Sequence, residues 1–429
     1  MKRVFLVFDI GTSDLKCGCI NDREEVMVEH SCQFPMTQSG EHYEVDFRRF
    51  SEDAKALIAK CLVDKVMNNV EVEAMLITSQ AQTFAPVDKD FNPLLPGIVW
   101  LDQRAVSEAG YLRDNLNDFS HSAGFQAPIP GLYASKLLWL KRNEPVVFDE
   151  ASYFPLVSEY LAQQLTGQVY TDSTGFGMSG MYDYRHNGFN TSLLQILGLQ
   201  KDHFPLVDRA ATRGEQVMQG VQKEFGISYG FPVYLCGNDQ AASAAGAGLT
   251  QPGEVNINFG TAMVLYTLTD QLVTDLKQEQ ISGKHPLGDS FFFLSYESDF
   301  GIQMRKLKEG FFPKGSYNQL FESYLQHPEV ESVIPTSCKA NDPENVLLHC
   351  AGVIKYYLKK LRQHLDQISL HIKFKKIYLS GGMTQSGVWL EILKQNLSCP
   401  IEVNNSANAG LVGAVNIYLN NTNHSYYAN

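Results

Sequence analysis

Two strands joined by a glycine turn occur twice in this chain, and that repeat constrains its fold more than any other feature. Residues 4–8, VFLVF, form a β-rich apolar run; DIGTSD follows, then LKCGCI, then the turn pair Asn21-Asp22. Together they read as a hairpin. EVNINFGTAMVLYTL repeats the plan, with strands expected over 254–259 and 263–268 around Gly260-Thr261. Each turn holds Gly-Thr and a small residue: Gly11-Thr12-Ser13 and Gly260-Thr261-Ala262. Two distant copies of one device predict two domains of related α/β fold, and 429 residues are too many for one ordinary core.

The rest of the pattern alternates helix and strand. Residues 50–66 read as a helix and 70–80 as a strand; 133–143 (YASKLLWLKRN) and 156–165 (LVSEYLAQQL, ended by Thr166-Gly167) read as helices. Residues 290–296 read as a strand, and 300–342 carry mixed signals. A long helix is expected from Asp342-Pro343, with Asp342 as N-cap and Pro343 at the first helical position. Its core stripe is Leu347, Ala351, Ile354, Leu358, Leu361 and Leu365. KIYLSGGMTQSGVWLEILKQNL reads as strand, glycine turn and helix, and a last helix is expected over 409–419.

Composition narrows the function classes. A net charge of −12 argues against a nucleic-acid or anionic-membrane partner, though not against a local basic pocket. No apolar run is long enough to span a bilayer. The basic-apolar start MKRVFLVFDIGT resembles a signal peptide, but its apolar run breaks at Asp9 with no small-residue cleavage site after it; it reads as a buried first strand. The eight cysteines form no C-x-x-C pair, which fits buried, reduced thiols and a cytoplasmic protein.

Four places can carry chemistry. In DIGTSD, free N–H groups with the Thr12 and Ser13 hydroxyls can hold phosphate oxygens, and Asp9 can hold a hydrated magnesium ion beside them. A plain polar hairpin turn is the alternative, and Lys16 is either a phosphate contact or a solvated lysine. The turn at Gly260-Thr261 admits the same two readings. In SGGM, residues 380–383, a strand, two glycines and a helix start can lie against a nucleotide, or form only a tight turn. The small-residue run ANAGLVGAV, 407–415, is either close packing of a helix against that site or a helix–sheet contact. The fourth is GNDQAASAAGAG, 237–248. Asp239 stands at a helix start there, favoured by capping and by the helix dipole, although Asn238 or Gly237 can cap the helix equally well. It can also act as general base for phosphoryl transfer to an alcohol.

The ordered set DIGTSDLK, GIVWLDQRA, GNDQAASAAGAG, NFGTA, LSGGMTQSGVW and AGLVGAV resembles the FGGY carbohydrate kinases, of the actin-like ATPase superfamily. Lys136-Leu137-Leu138-Trp139, followed by Arg142 and Asn143, matches that family's lysine-centred helix. The resemblance runs from Asp9 to Val415. It implies an α/β fold of two ribonuclease-H-like domains around a central cleft, divided here as residues 1–235 (sugar-binding) and 236–429 (nucleotide-binding). It implies an ATP-dependent sugar kinase with ATP and Mg2+ in the cleft. Gly11, Thr12 and Ser13 match the first phosphate loop, Gly260 and Thr261 the second, and Gly381 and Gly382 the adenosine loop. Asp239 matches the catalytic base and Asp9 the metal-side aspartate. The sugar is expected against SQAQTF, 79–84, and Trp100, with Trp100 stacking on it and Gln82 and Asp239 hydrogen-bonding its hydroxyls. Asp102 and Arg104 follow a W-x-D-x-R pattern, lining that wall or pairing with each other.

The sequence departs from the family pattern in places. Met383 replaces the third glycine of the adenosine loop, and Tyr133 stands where a small residue or proline is usual. The chain is short between Gly301 and Asn345. The expected substrate is a ketopentose such as xylulose, with gluconate or another pentulose second; a homodimer is compatible with the sequence. A catalytically weak sugar- or nucleotide-binding regulator, and a nucleotide hydrolase with an assembly role, are the competing classes.

Overall fold

The computed structural model describes residues 3–335, 343–404 and 408–425. Two six-stranded sheets repeat one strand order. In the first, Val4–Ile10 pairs antiparallel with Asp14–Asn21, which pairs antiparallel with Val26–Gln33. On its other side Val4–Ile10 pairs parallel with Ala74–Ser79, and that strand pairs parallel with Pro232–Asn238. In the second, Glu254–Phe259 plays the part of Val4–Ile10. It is antiparallel to Met263–Thr269, itself antiparallel to Phe291–Glu297, and parallel to Lys376–Ser380, itself parallel to Ile401–Val403. Each sheet adds one further edge strand, Gly214–Gln216 in the first and Gln280–Lys284 in the second. The repeat expected from the two Gly-Thr turns therefore extends to five strands of each sheet, while the sixth strands lie on opposite edges, Gly214–Gln216 beside Pro232–Asn238 and Gln280–Lys284 beside Phe291–Glu297.

The opening strands are central because their sequences bury both faces: every residue of VFLVFDI is buried except Asp9, which is partly so. Helix Phe47–Leu62, capped by Asp46 accepting from the Arg48 and Arg49 N–H groups, covers the first hairpin. Helices Tyr133–Asn143 and Val157–Thr166 start within a residue of their expected places, and Gly167 ends the latter at φ 72. Residues 300–342, which carried mixed signals, contain two helices, Phe300–Phe311 and Tyr317–Gln326. Their aromatics meet Trp389: Phe321 stacks on its ring at 4.8 Å and Phe300 lies 5.9 Å away. The long helix spans Pro343–Ser369, with Ile354, Leu358, Leu361 and Leu365 of the expected stripe in the core, Ala351 buried and Leu347 only half-buried; its proposed cap, Asp342, lies outside the described residues, as does Cys338. The other seven cysteines are free thiols.

Helices Asp239–Gly246 and Ala409–Ser425 follow the fifth strand of their respective sheets and cross each other. Each packs on the other half. Leu411, Ala414, Val415 and Ile417 sit among Phe5, Val7, Ile20 and Leu76 of the first sheet, while Ala241 and Ala244 share a cluster with Tyr266 and Leu268 of the second. The crossing needs glycine on both sides. A Cβ on Gly413 would lie 1.7 Å from the Ala242 carbonyl oxygen, and one on Gly246 would lie 1.8 Å from that of Ala409. The described part of the small-residue run, 408–415, thus forms a helix–helix crossing, residue 407 lying outside the described residues, and its second helical residue also reaches Asp9: a Cβ on Gly410 would stand 2.9 Å from Asp9 Oδ2.

Candidate active site

The first sheet brings the end of its opening strand, and so the first Gly-Thr turn, level with the start of the Asp239 helix: Ile10 and Asn238 both pair with Ser79 of the strand between them. Gly11 N–H donates to Asp14 O at 3.1 Å, closing the first turn, while Ser13 is exposed and Thr12 partly so. Asp9 ends the strand beneath it. Its Oδ1 is buried and has no partner among the described residues. Burial and the nearby charge of Asp239 push the Asp9 carboxyl up to about 7, against the pull of Lys16. Lys16 therefore acts on this site by its charge.

Asn238 is the cap of the following helix, its Oδ1 accepting from Ala241 N–H at 3.0 Å. That frees Asp239 from capping. Its Oδ1 accepts from Gln240 N–H at 2.8 Å, and the other oxygen has no hydrogen bond among the described residues. Burial raises the Asp239 carboxyl to about 6, with the Gln240 N–H opposing. Asp239 is thus near enough for its charge to raise Asp9, and burial holds both carboxyls well above the usual carboxylate range.

On the opposite wall, Gly260 N–H donates to Ala262 O at 3.1 Å and Gly301 N–H to Thr261 O at 2.9 Å. Gly301 is tight against this turn; a Cβ there would be 2.1 Å from Gly260 O. Gly381 adopts φ +93, and a Cβ on it would strike Asn258 Oδ1 at 2.4 Å, whereas Gly382 faces open space. That space is a pocket of about 460 Å³ lined by Gly260, Thr261, Arg305, Tyr317, Asn318 and Gly382, among others, within the size range of small-molecule sites. Met383, the departure from the glycine pattern, lines it too. Arg305, Tyr317 and Asn318 belong to the two helices of the shortened segment and sit in no motif. Only the pocket reveals them.

The wall around Trp100 is organised from behind. Trp100 is 40% exposed, and its Nε1 donates to Thr12 Oγ1 at 2.9 Å. Asp102 is fully buried: Tyr43 N–H, Arg104 N–H and both arms of the Arg104 guanidinium donate to its two oxygens at 2.7–2.9 Å. Of the two roles open for it, this is the pairing one. Asp102 is not a sugar-facing group, because its lone pairs are turned inward and taken. Gln82 sits at φ 70 with its Nε2 donating to Met178 O at 2.6 Å and its Oε1 accepting from Tyr133 N–H at 2.7 Å, which leaves one Nε2 hydrogen for anything else. Tyr133, the other departure from pattern, earns its place by that backbone bond and by a buried hydroxyl bonded to Phe154 O at 2.6 Å. Lys136 is wholly buried, and its ammonium donates to Gln82 O at 2.7 Å and Val99 O at 3.1 Å. Burial lowers it to about 7. The lysine-centred motif is therefore a clamp that fixes the positive-φ turn at Gln82 and the strand leading to Trp100.

Comparisons with known proteins show the family and the fold. Residues 4–246 match the N-terminal domain model of the FGGY family of carbohydrate kinases. The chain is 25% identical to the L-fuculokinase of Haemophilus influenzae over 96% of its own length and 93% of that protein's. It is 23% identical to the xylulose kinase of Bacillus subtilis over 73% of its own length and 63% of that protein's. The solved xylulose kinase from Rhodospirillum rubrum superposes with a TM-score of 0.89 at 19% identity, covering 98% of this chain and 90% of that one. That likeness shows a shared fold, the two actin-like ATPase domains of which the repeated sheets are the cores. No described helix is long and apolar enough to cross a membrane. On the family match, this chain belongs to the FGGY family of carbohydrate kinases, the ATP-dependent sugar phosphotransferases.

Proposed function

We propose that the protein transfers the γ-phosphoryl group of ATP to a hydroxyl of a small ketose, with Asp239 as general base. The observation that carries this reading is Asp239 at a helix start, with Asn238 taking the cap, near enough to Asp9 beneath the first Gly-Thr turn for its charge to raise that carboxyl. Asp239 accepts the proton of the attacking hydroxyl. The N–H groups and hydroxyls of Thr12, Ser13 and Thr261 hold the phosphates; Gly11 and Gly260 spend their own N–H groups closing the turns, on Asp14 O and Ala262 O, and serve by letting the backbone come close, while Gly381 and Gly382 flank the adenosine in the pocket beside them. Trp100 offers its ring to the apolar face of the sugar. Gln82 and Asp102 support that wall. Residues 1–235 and 236–429 close on the two substrates and exclude water, the boundary falling inside strand Pro232–Asn238.

Asp9 fits a magnesium ion: its buried Oδ1 lacks any hydrogen-bond donor, as an oxygen kept for a cation or its hydration water does. Among the described residues no cluster of three or more His, Cys, Asp or Glu can hold a metal, which suits an ion that keeps its waters and takes phosphate oxygens. When bound it neutralises charge on the β- and γ-phosphates.

Xylulose is the first candidate substrate. L-Fuculose, also a ketose, is the second, favoured by the end-to-end alignment with the L-fuculokinase. The test is ATP- and Mg2+-dependent ADP release over a panel of ketoses, polyols and sugar acids, beside Asp239→Asn. Release with one sugar, reduced about 10²–10⁴-fold in the variant, is the expected result. A variant that keeps most of its turnover removes Asp239 from the role of base, and silence across the panel removes the kinase reading.

A further inference from the structure

A closed ring of hydrogen bonds joins the sugar wall to the first phosphate loop. Trp100 N–H donates to Thr83 Oγ1 at 3.2 Å; Thr83 Oγ1 donates to Gln80 Oε1 at 3.1 Å; Gln80 Nε2 donates to Gly11 O at 3.1 Å. The ring closes on the other side, where Trp100 Nε1 donates to Thr12 Oγ1 at 2.9 Å. Gln80 and Thr83 are buried. Gln80 is held a second time, its N–H donating to Ile10 O at 2.7 Å. Every donor along this path has one acceptor, and every acceptor one donor, so displacement at one station is felt at the next.

The chemistry of Thr12 gives the ring a direction. A threonine hydroxyl offers one donor and two acceptor positions. The indole N–H, a donor only, occupies an acceptor position, so the Thr12 hydrogen is left to be donated outward, where a phosphate oxygen can take it. The indole ring that sets this orientation is the same half-exposed surface on which the sugar is proposed to stack. A ligand that fixes the ring fixes the hydroxyl.

We propose that this ring couples the two substrates: sugar seated on Trp100 tightens nucleotide binding through Thr12, and nucleotide tightens sugar by the same factor. The inference rests on the sugar-kinase reading. Gln80 and Thr83 touch neither substrate and are positioning residues. Thr83 is central to the ring, because its hydroxyl is the single atom that accepts from the Trp100 backbone and donates to Gln80. Binding linkage makes the coupling reciprocal, and couplings of this kind amount to about 5–150-fold in affinity.

The experiment measures the Kd of Mg–AMP-PNP with and without saturating D-xylulose, or L-fuculose if that is the ketose turned over, and the Kd of the sugar with and without Mg–AMP-PNP. In the wild type the two ratios should be equal and at least about fivefold. Thr83→Val keeps the shape but loses the hydroxyl, and both ratios should fall to near one. Thr83→Ser, which restores the hydroxyl, should recover them, which a purely structural role for the methyl group would not produce. If Thr83→Val does not fold, Trp100→Phe keeps a stacking ring without the N–H and should lower the same ratios. Wild-type ratios of one with both ligands bound overturn the coupling and leave the kinase intact. A Thr83→Val protein with unchanged ratios does the same. Failure of the wild type to bind either ligand overturns the underlying reading as well.

Discussion

The two halves of this protein are built alike and charged differently. Asp9 stands two residues before Gly11 in the first hairpin, and Asn258 stands two residues before Gly260 in the second. Both have a buried Oδ1 without a partner. The two crossing helices also start differently, one with Asp239 and the other with Ala409. At each of two equivalent places the first repeat, taken as the first sheet and the helix that follows Pro232–Asn238, has a carboxylate and the second a neutral residue. The backbone device is thus duplicated, while the two carboxylates proposed as base and cation ligand are confined to one repeat. That arrangement suits a ligand whose phosphates span both turns: carboxylates on both walls would repel it.

Exchanging the charges is the strongest way to break the comparison. Asp9→Asn should raise the Mg2+ concentration for half-maximal rate by about 10–100-fold. Asn258→Asp should leave the sugar KM alone but raise the KM for ATP about tenfold, a cost of roughly 1.4 kcal/mol from a new charge beside the phosphates. Both are read from steady-state rates over Mg2+ and ATP titrations. If Asn258→Asp is silent in ATP while Asp9→Asn is silent in Mg2+, the two turns do not share a ligand.

The acid limb of the rate is a smaller effect and belongs to the first repeat alone. The carboxyls of Asp239 and Asp9 lie at about 6 and about 7, both raised mainly by burial. If the rate needs both carboxylates ionised, kcat/KM should fall as pH drops through this window, by about tenfold per unit between the two values and towards about a hundredfold per unit below both. Because the charge of Asp239 helps to raise Asp9, Asp9→Asn should remove the upper step and leave a single limb near 6. A wild-type rate that stays flat from pH 8 to pH 5 would deny Asp239 its role.

The sequence carries this comparison unevenly. The hairpins and their Gly-Thr turns are legible because turn chemistry and β-rich runs are local. Asp239 at a helix start is legible for the same reason, although the assignment of its cap to Asn238 needed coordinates. Asp102 was expected on the sugar wall or in a pair with Arg104, and the fold selects the pair: Tyr43, distant in sequence, supplies the N–H that seals its second oxygen. Gln80 and Thr83 lie inside the SQAQTF segment, yet their partners Gly11 and Trp100 come from other strands and loops. The pocket beside Gly382 was the least legible. Arg305, Tyr317 and Asn318 have no periodicity or motif of their own and become neighbours only when two short helices fold over Trp389.

The smallest expected effect tests whether the two halves meet as symmetrically as their sheets do. Gly413 and Gly246 each leave room for one carbonyl of the opposite helix, at 1.7 Å and 1.8 Å from where a Cβ would stand. Both obstacles are backbone, so a methyl group at either place must push the helices apart rather than turn a side chain aside. Overpacking of this kind costs about 1–3 kcal/mol. Gly413→Ala and Gly246→Ala should therefore lower the thermal midpoint by similar amounts, with the double variant less than additive because either methyl alone opens the shared crossing. Gly410→Ala is the contrasting case: its methyl would meet the Asp9 carboxylate, 2.9 Å away, and should depress the rate more than the midpoint. If only one of the two crossing glycines is sensitive, the helices hinge on one side, and closure of the cleft is driven from that half.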